Sequence, residues 1–297
     1  MTNILYKNVK ARIFLWTLLL SLTVLPVNAK ETFQKDKNWW MQATPQTIEK
    51  MIKAGADVNE KESKDNNTAL IAGVVGTLDP AVIEILIKNG ADVNAKNRFG
   101  GTALMAAATF NPNPAVIEVL IKNKADINAK NNDGLTALMW ASHYNPNPAV
   151  IETLIKNGAD VNANDQLGGT ALVWAAEYNP VPEITEILLK KSKTDINATV
   201  YDGTTLLMMA SIMNQNSAVI EKLIKNGADV NAKTVSGETA LLVAAWLNPN
   251  PEVVQTLIRN GADINAKDNN GKTVLDYAQQ NPNKDVYLKL KDLMSKK

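Results

Sequence analysis

The chain has 297 residues, with 31 Lys plus Arg against 30 Asp plus Glu, one histidine and no cysteine. That balance gives no general electrostatic drive toward nucleic acid or anionic lipid. The lack of cysteine excludes disulfides, thiolate metal sites, a cysteine nucleophile and a lipid-modified N-terminal cysteine, and a single histidine cannot build a His-rich metal site.

The first element is a leader. Lys7, Lys10 and Arg12 precede an apolar run from Ile13 to Leu25, and Val27-Asn28-Ala29 places small or modest residues at a cleavage position. This predicts a secretory signal peptide over 1–29, cut after Ala29. An uncleaved anchor is the competing reading, but the 13-residue run is short against the ~20 residues that span a bilayer. Cleavage takes three basic residues from 31 and no acid, leaving 28 against 30, formally −2. The mature protein is expected in the periplasm or secreted, without stable membrane insertion. Lys30 to Asn38 reads as a short polar linker.

From there the chain repeats. Thr68, Thr102, Thr136 and Thr170 are spaced by 34 residues, Thr205 follows after 35, and Thr239 and Thr273 return to 34. Asp92, Asp126, Asp160, Asp195, Asp229 and Asp263 keep step, each in a segment like Asn-Gly-Ala-Asp-Val-Asn. A fixed period of this length means a solenoid.

Residues 131–162 serve as the pattern. Asn132-Asp133-Gly134 is turn chemistry, with Gly134 free to take positive φ. Thr136 is suited to cap a first helix, in which Leu138, Trp140 and Ala141 fall at helical spacing. Asn145-Pro146-Asn147-Pro148 stops that helix and starts a second, with Asn147 as cap and Pro148 in the first turn. The second helix buries Val150, Ile151, Leu154 and Ile155 as one stripe, with Lys156 favourable at its C-terminal end and Gly158 as a C-cap. One such unit cannot bury both helices, so several must stack.

These residues carry a resemblance. Gly-x-Thr-Ala-Leu at the first helix, an apolar second helix, and the exit segments Asn89–Ala95, Asn157–Ala163, Asn226–Ala232 and Asn260–Ala266 resemble those of ankyrin-repeat proteins. The resemblance covers roughly 39–297. It implies an all-α solenoid with hairpin-like fingers: an atypical first repeat over 39–62, six full repeats over about 63–267, and a C-terminal capping repeat over 268–297. Tetratricopeptide repeats share the period, but their Trp, Leu-Gly and Tyr positions do not recur here in register. The chain departs from the family in three ways. The usual Thr-Pro-Leu-His has mostly alanine at the proline (Ala69, Ala103, Ala137, Ala171, Ala240). It has Ile71, Met105, Met139, Val173, Met208 or Leu242 at the histidine, so apolar packing is expected to replace a hydrogen bond. The extra residue falls in the loop between helices, where Asn-Pro-x-Pro stands at 111–114, 145–148, 179–182 and 248–251.

No catalytic constellation emerges. His143 has no recurring partner in sequence. Glu84, Glu118, Glu152, Glu186 and Glu221 form an evenly spaced row on the second helices, which the resemblance places on the convex side, and the recurring Asp residues read as structural. Gly-Gly at 100–101 and 168–169 lacks the Gly-Lys-Ser/Thr of a phosphate loop. No enzyme activity, cofactor or metal is expected.

Function should therefore lie where the repeats differ. The resemblance implies a concave binding face made of finger tips and first-helix ends. The apolar tips are Phe99, Leu167, Tyr201 and Val235. The helix ends read Thr109-Phe110, His143-Tyr144, Glu177-Tyr178, Ile212-Met213 and Trp246-Leu247. The second member of each is large and apolar or aromatic, either a packed rung beneath the proline loop or an exposed groove. The first member varies freely, as a specific surface would. Ile212 and Trp246 would be costly to leave exposed without a covering partner. Trp140 and Trp174 read as core. The expected function is non-catalytic binding of an unidentified protein partner by a monomer, either as a periplasmic scaffold or as a secreted factor acting on a host or foreign protein. A small-ligand or cation site is a weaker alternative.

Overall fold

A computed structural model describes residues 32–35, 37–62, 64–200 and 202–295. The signal peptide expected over 1–29, Tyr201 and the terminal Lys296-Lys297 lie outside them. Sixteen helices are present among the described residues, in eight pairs. The first helices of successive pairs are α1 (Lys37–Gln42), α3 (Ala69–Gly76), α5 (Ala103–Phe110), α7 (Ala137–Tyr144), α9 (Ala171–Tyr178), α11 (Leu206–Met213), α13 (Ala240–Leu247) and α15 (Val274–Ala278). Their partners are α2 (Pro45–Lys53), α4 (Pro80–Lys88), α6 (Pro114–Lys122), α8 (Pro148–Lys156), α10 (Pro182–Lys191), α12 (Ser217–Lys225), α14 (Pro251–Arg259) and α16 (Lys284–Ser295). First helices stack on first helices and second on second, giving two parallel files along the solenoid.

Each first helix from α3 to α15 begins where its threonine stops the backbone in an extended conformation. Thr136 accepts from Met139 N at 3.4 Å, and Thr68, Thr102, Thr170, Thr205, Thr239 and Thr273 do the same in their own repeats. Each such cap stabilises its helix by about 1 kcal/mol. The leucine two residues on (Leu70, Leu104, Leu138, Leu172, Leu207, Leu241) is fully buried, as are Val150, Ile151 and Leu154 of the second-helix stripe. At the position where the family carries histidine, Ile71, Met105, Met139, Met208 and Leu242 are buried and Val173 half-buried. Apolar packing has replaced the hydrogen bond there.

The fingers are turns rather than strands, with isolated bridges at Thr199–Thr205 and Lys267–Thr273. In the pattern repeat Asn131 N donates to Leu135 O, and Gly134 sits at φ +82° with Gln166 N 3.0 Å from where a Cβ would stand. Neighbouring fingers are tied in register by Arg98 N to Asp65 O, Asn132 N to Phe99 O and Gln166 N to Asp133 O.

The segment expected as a linker is partly structured. Helix α1 starts at Lys37, and Phe33 is buried against Trp40, ring centroids 6.1 Å apart. The reason is that α3 would otherwise expose its outer side: its first repeat needs an apolar lid, which Phe33 and Trp40 supply.

The inter-helix loops hold the stack together. Asn111, Asn145, Asn179, Asn214, Asn248 and Asn281 are at most 3% exposed. Each sends its amide back to two backbone carbonyls of the preceding repeat. Asn145 Nδ2 donates to Ala108 O and Asn111 O, both at 2.9 Å, and its Oδ1 accepts from Asn147 N at 3.0 Å. Asn111, Asn179, Asn214, Asn248 and Asn281 repeat the arrangement. A second row, Asn113, Asn147, Asn216, Asn250 and Asn283, caps the second helix and also reaches back one repeat. A third lies at the repeat exits, where Asn128 donates to Gly158 O and accepts from Asp160 N. The exit aspartates accept from the backbone two residues on, as Asp160 does from Asn162 N, which makes them structural.

Candidate functional site

The first-helix face holds most of the sequence-predicted site residues. Of the helix-end rungs, Phe110 and Tyr144 are 42% and 40% exposed. Tyr178, Met213 and Leu247 are half-buried against the core. At the finger tips Leu167 is 61% and Val235 71% exposed, and Val200, which the sequence reading passed over, is exposed as well. Phe99 is half-buried beneath the Arg98 guanidinium, which stands 4.6 Å from its ring centroid.

The variable first member of each helix-end pair is not the free surface it resembles in the sequence. Ile212, Thr109 and Glu177 are buried, and Thr109 Oγ1 donates to Met105 O at 2.7 Å. His143 and Trp246 are half-buried and reach forward onto the next repeat. The His143 ring stacks on Tyr144 at 3.7 Å, Tyr178 at 4.5 Å and Trp174 at 5.1 Å, and Trp246 meets Tyr277 edge-on at 6.0 Å. The position varies because it packs against a neighbour that also varies. Helical periodicity gives the angle around one helix and not the contact with the next, so sequence alone does not reveal this.

The aromatic stack joins two successive first helices, α7 and α9. Trp140 lies 6.3 Å from Tyr144 and is half-buried, while Trp174 is buried and donates from Nε1 to Asp165 Oδ2 at 2.9 Å. Burial lowers the His143 pKa to about 3 and raises that of Tyr144 to about 12. His143 is therefore a neutral ring near pH 7, a packing group rather than a proton shuttle. The hollow beneath it, lined by Leu135, Met139, Trp140, His143 and Trp174, has no room even for a water molecule, against the ~300–1,000 Å³ of ligand pockets.

Two acids do meet elsewhere. Tyr277 Oη lies 3.0 Å from both Glu238 Oε1 and Asp268 Oδ2. All three residues are buried and come from two successive repeats, so the cluster pins the last repeat to its neighbour and leaves no cleft for a substrate. Burial first, then the Glu238 carboxylate, push the Tyr277 phenol far up. No group of three or more His, Cys, Asp or Glu that could hold a metal is present among the described residues. No helix among them is long and apolar enough to cross a membrane.

A family model described as ankyrin repeats in three copies matches residues 41–131, 74–165, 144–234 and 207–295. The chain belongs to the ankyrin-repeat family. Among solved structures it is similar to the crystal structure of the human ASB11 ankyrin repeat domain, with TM-score 0.63 and 25% identity over 75% of this chain and 96% of that one. No curated protein matches it in sequence.

Ankyrin repeats are generally protein–protein interaction scaffolds, and the fold is typically non-catalytic. On this ankyrin-repeat protein the second-helix file carries a row of ion pairs: Glu84–Lys88 at 3.3 Å, Glu186–Lys190 at 2.8 Å, Glu221–Lys225 at 2.6 Å and Glu186–Lys222 at 2.5 Å. Lys190 and then Lys222, by hydrogen bonding, lower the Glu186 pKa to about 2. Such exposed pairs add little to stability and mark a solvated face.

Proposed function

We propose that the chain is an exported, non-catalytic scaffold that binds a protein partner through its concave first-helix face. The observation that carries this is the row of accessible apolar side chains along that face, Phe110, Tyr144, Tyr178, Met213 and Leu247, flanked by the exposed tips Leu167 and Val235. A contiguous accessible apolar strip on a soluble solenoid marks an interaction surface. The repeat array presents it preformed, so little ordering entropy is lost on binding. Export rests on the Lys/Arg-led apolar leader of residues 1–29.

The test is capture of a partner by the mature chain from a periplasmic extract, read by mass spectrometry, with wild type beside a Met213→Glu, Val235→Glu double variant. Selective loss in the variant, with its thermal melt unchanged, is the expected result. Equal capture by both would place the binding surface elsewhere. Fractionation separates the two settings: protein retained in the periplasm excludes the secreted reading, and protein in the medium excludes the periplasmic one.

A further inference from the structure

Charge is segregated between the two helix files. The six first helices from α3 to α13 contain no Lys, Arg or Asp and a single Glu, the buried Glu177. Each second helix from α4 to α14 carries at least one acid and one base. Every solvent-accessible residue on those first helices is apolar or aromatic except His143. The strip runs from Val75 through Phe110, Tyr144, Tyr178 and Met213 to Leu247. His143 is stacked between the Tyr144 and Tyr178 rings and is neutral near pH 7. Three exposed aliphatic residues, Leu167, Val200 and Val235, extend the strip onto successive fingers. The fingers flanking it do carry charge, much of it engaged. Arg98 is held by Asp65 at 3.3 Å, Lys96 and Lys130 donate to Lys130 O and Asn164 O, and the buried Asp165 and Glu238 accept from Trp174 and Tyr277, with Asp133, Asp202 and Lys233 beside them.

We propose that this face takes an extended stretch of polypeptide that is apolar and carries no charged side chain. The proposal rests on the protein-binding reading above and names the chemistry of what is bound. The helix floor offers a Lys, Arg, Asp or Glu seated on it no counter-charge, and the finger amines of Lys96 and Lys130 are already turned to backbone carbonyls, so desolvating a charged group on the floor is strongly unfavourable. Apolar and aromatic side chains lose only water. The six first helices stand about 10 Å apart, so the strip is about 50 Å long. That length accepts about 15 residues of extended chain. Binding of this kind gains nothing from electrostatic steering and responds little to salt.

The test uses the mature full chain and three capped synthetic peptides of about 15 residues. One is built from Leu, Val, Phe, Ser and Gly only; the others carry Lys or Glu at every fourth position. Titration calorimetry at about 20 and about 300 mM NaCl reads affinity on both sides of strong screening. The uncharged peptide is expected to bind with a Kd that changes less than about twofold between the two salts, and the charged ones about tenfold more weakly. Met213→Glu and, at an exposed tip where folding is not at risk, Val235→Glu are each expected to weaken the uncharged peptide by about tenfold, while Glu118→Lys on the convex file leaves it unchanged. Equal or tighter binding of a charged peptide, no binding of the uncharged one, or a tenfold salt effect overturns the proposal. A native partner whose capture is lost in the Met213→Glu, Val235→Glu variant yet collapses in high salt overturns it too, while leaving the protein-binding reading standing. Capture indifferent to both substitutions removes both.

Discussion

At the scale of single residues, the buried loop asparagines do more than end helices. Asn145→Asp keeps the shape but sets a carboxylate against the carbonyls of Ala108 and Asn111, which now receive the amide. Two buried acceptors lose their donor, so a loss of about 3 kcal/mol is expected in urea unfolding. Asn147→Asp, two residues on at the half-buried cap, should cost less than about 1 kcal/mol, because Asp79 already caps α4 with the same geometry. Equal costs at the two positions would refute the assignment of roles. The sequence contained the signal. At 214–217 the loop reads Asn-Gln-Asn-Ser, where both prolines are gone and both asparagines stay. His143 gives a pH signature at the same scale. Its pKa falls from the ordinary 6.5 to about 3 on folding, so its contribution is complete above pH 6.5 and is lost as the pH drops toward 3. Between pH 6.5 and about 5 it is the only side chain of its type in the chain, and the carboxylates are still ionised. Stability should fall by up to about 2 kcal/mol by pH 5, and His143→Phe should flatten that part of the profile in thermal melts. A slope that survives the substitution would assign it to other groups.

At the scale of elements, helix existence and caps follow from sequence, but the sealing of the N-terminal end does not. Thr at 34-residue spacing, Asn before Pro and the Val-Ile-x-x-Leu stripe fix where helices start and which side is buried, since those depend on local geometry alone. Phe33 lies in a stretch of polar residues and shows no period, so only the packed structure reveals that it supports Trp40. The seat for Trp40 is made by two glycines of α3. A Cβ on Gly73 would meet Trp40 Cζ3 at 3.2 Å, and one on Gly76 would meet Trp40 Cβ and, at 3.3 Å, Lys37 O. Gly76→Ala gains up to about 1 kcal/mol of helix propensity but overpacks a site bounded by main chain, at about 1–3 kcal/mol. The clash wins. The expected outcome is local: amide exchange across 37–53 accelerates while that of 103–260 is unchanged. Protection retained over 37–53 would mean that α1 shifts as a body to accommodate the methyl. The same limit of sequence reading applies to the site. Leu167 and Val235 were legible as apolar residues in turns, whereas the burial of Ile212 depends on contact with a neighbouring repeat, which no single-helix pattern encodes.

At the scale of the molecule, a solenoid is as strong as its weakest interface, because each repeat touches only its neighbours. Several departures gather at the unit formed by α9 and α10. Val181 replaces the capping asparagine and makes no side-chain cap. Thr185 occupies the row of Ile83, Ile117, Ile151, Ile220 and Val254, fully buried, with a hydroxyl that has no hydrogen-bond partner. Helix α10 runs on to Lys191 and ends at Ser192 with φ −75°, where other repeats enter the left-handed region, on a glycine such as Gly158 or, in one repeat, on Lys124. The Glu186–Lys222 pair does bridge this unit to the next, but exposed pairs are worth less than about 1 kcal/mol. A missing cap costs about 1 kcal/mol and an unsatisfied buried hydroxyl about 1–3, so the deficits outweigh the bridge. Sub-global opening should therefore start between α10 and α11. Limited trypsin digestion of the mature chain should cut first within Lys190–Lys193, giving two fragments that each retain several stacked repeats. Lys88 and Lys156, at the same register beside glycine caps, should be cut later. Val181→Asn with Thr185→Ile restores the cap and the apolar row, and should slow the first cut by at least about tenfold if opening limits cleavage, since tenfold corresponds to about 1.4 kcal/mol. A first cut at Lys88 or Lys156, or a rate at Lys190–Lys193 untouched by the double substitution, would show that the array opens elsewhere.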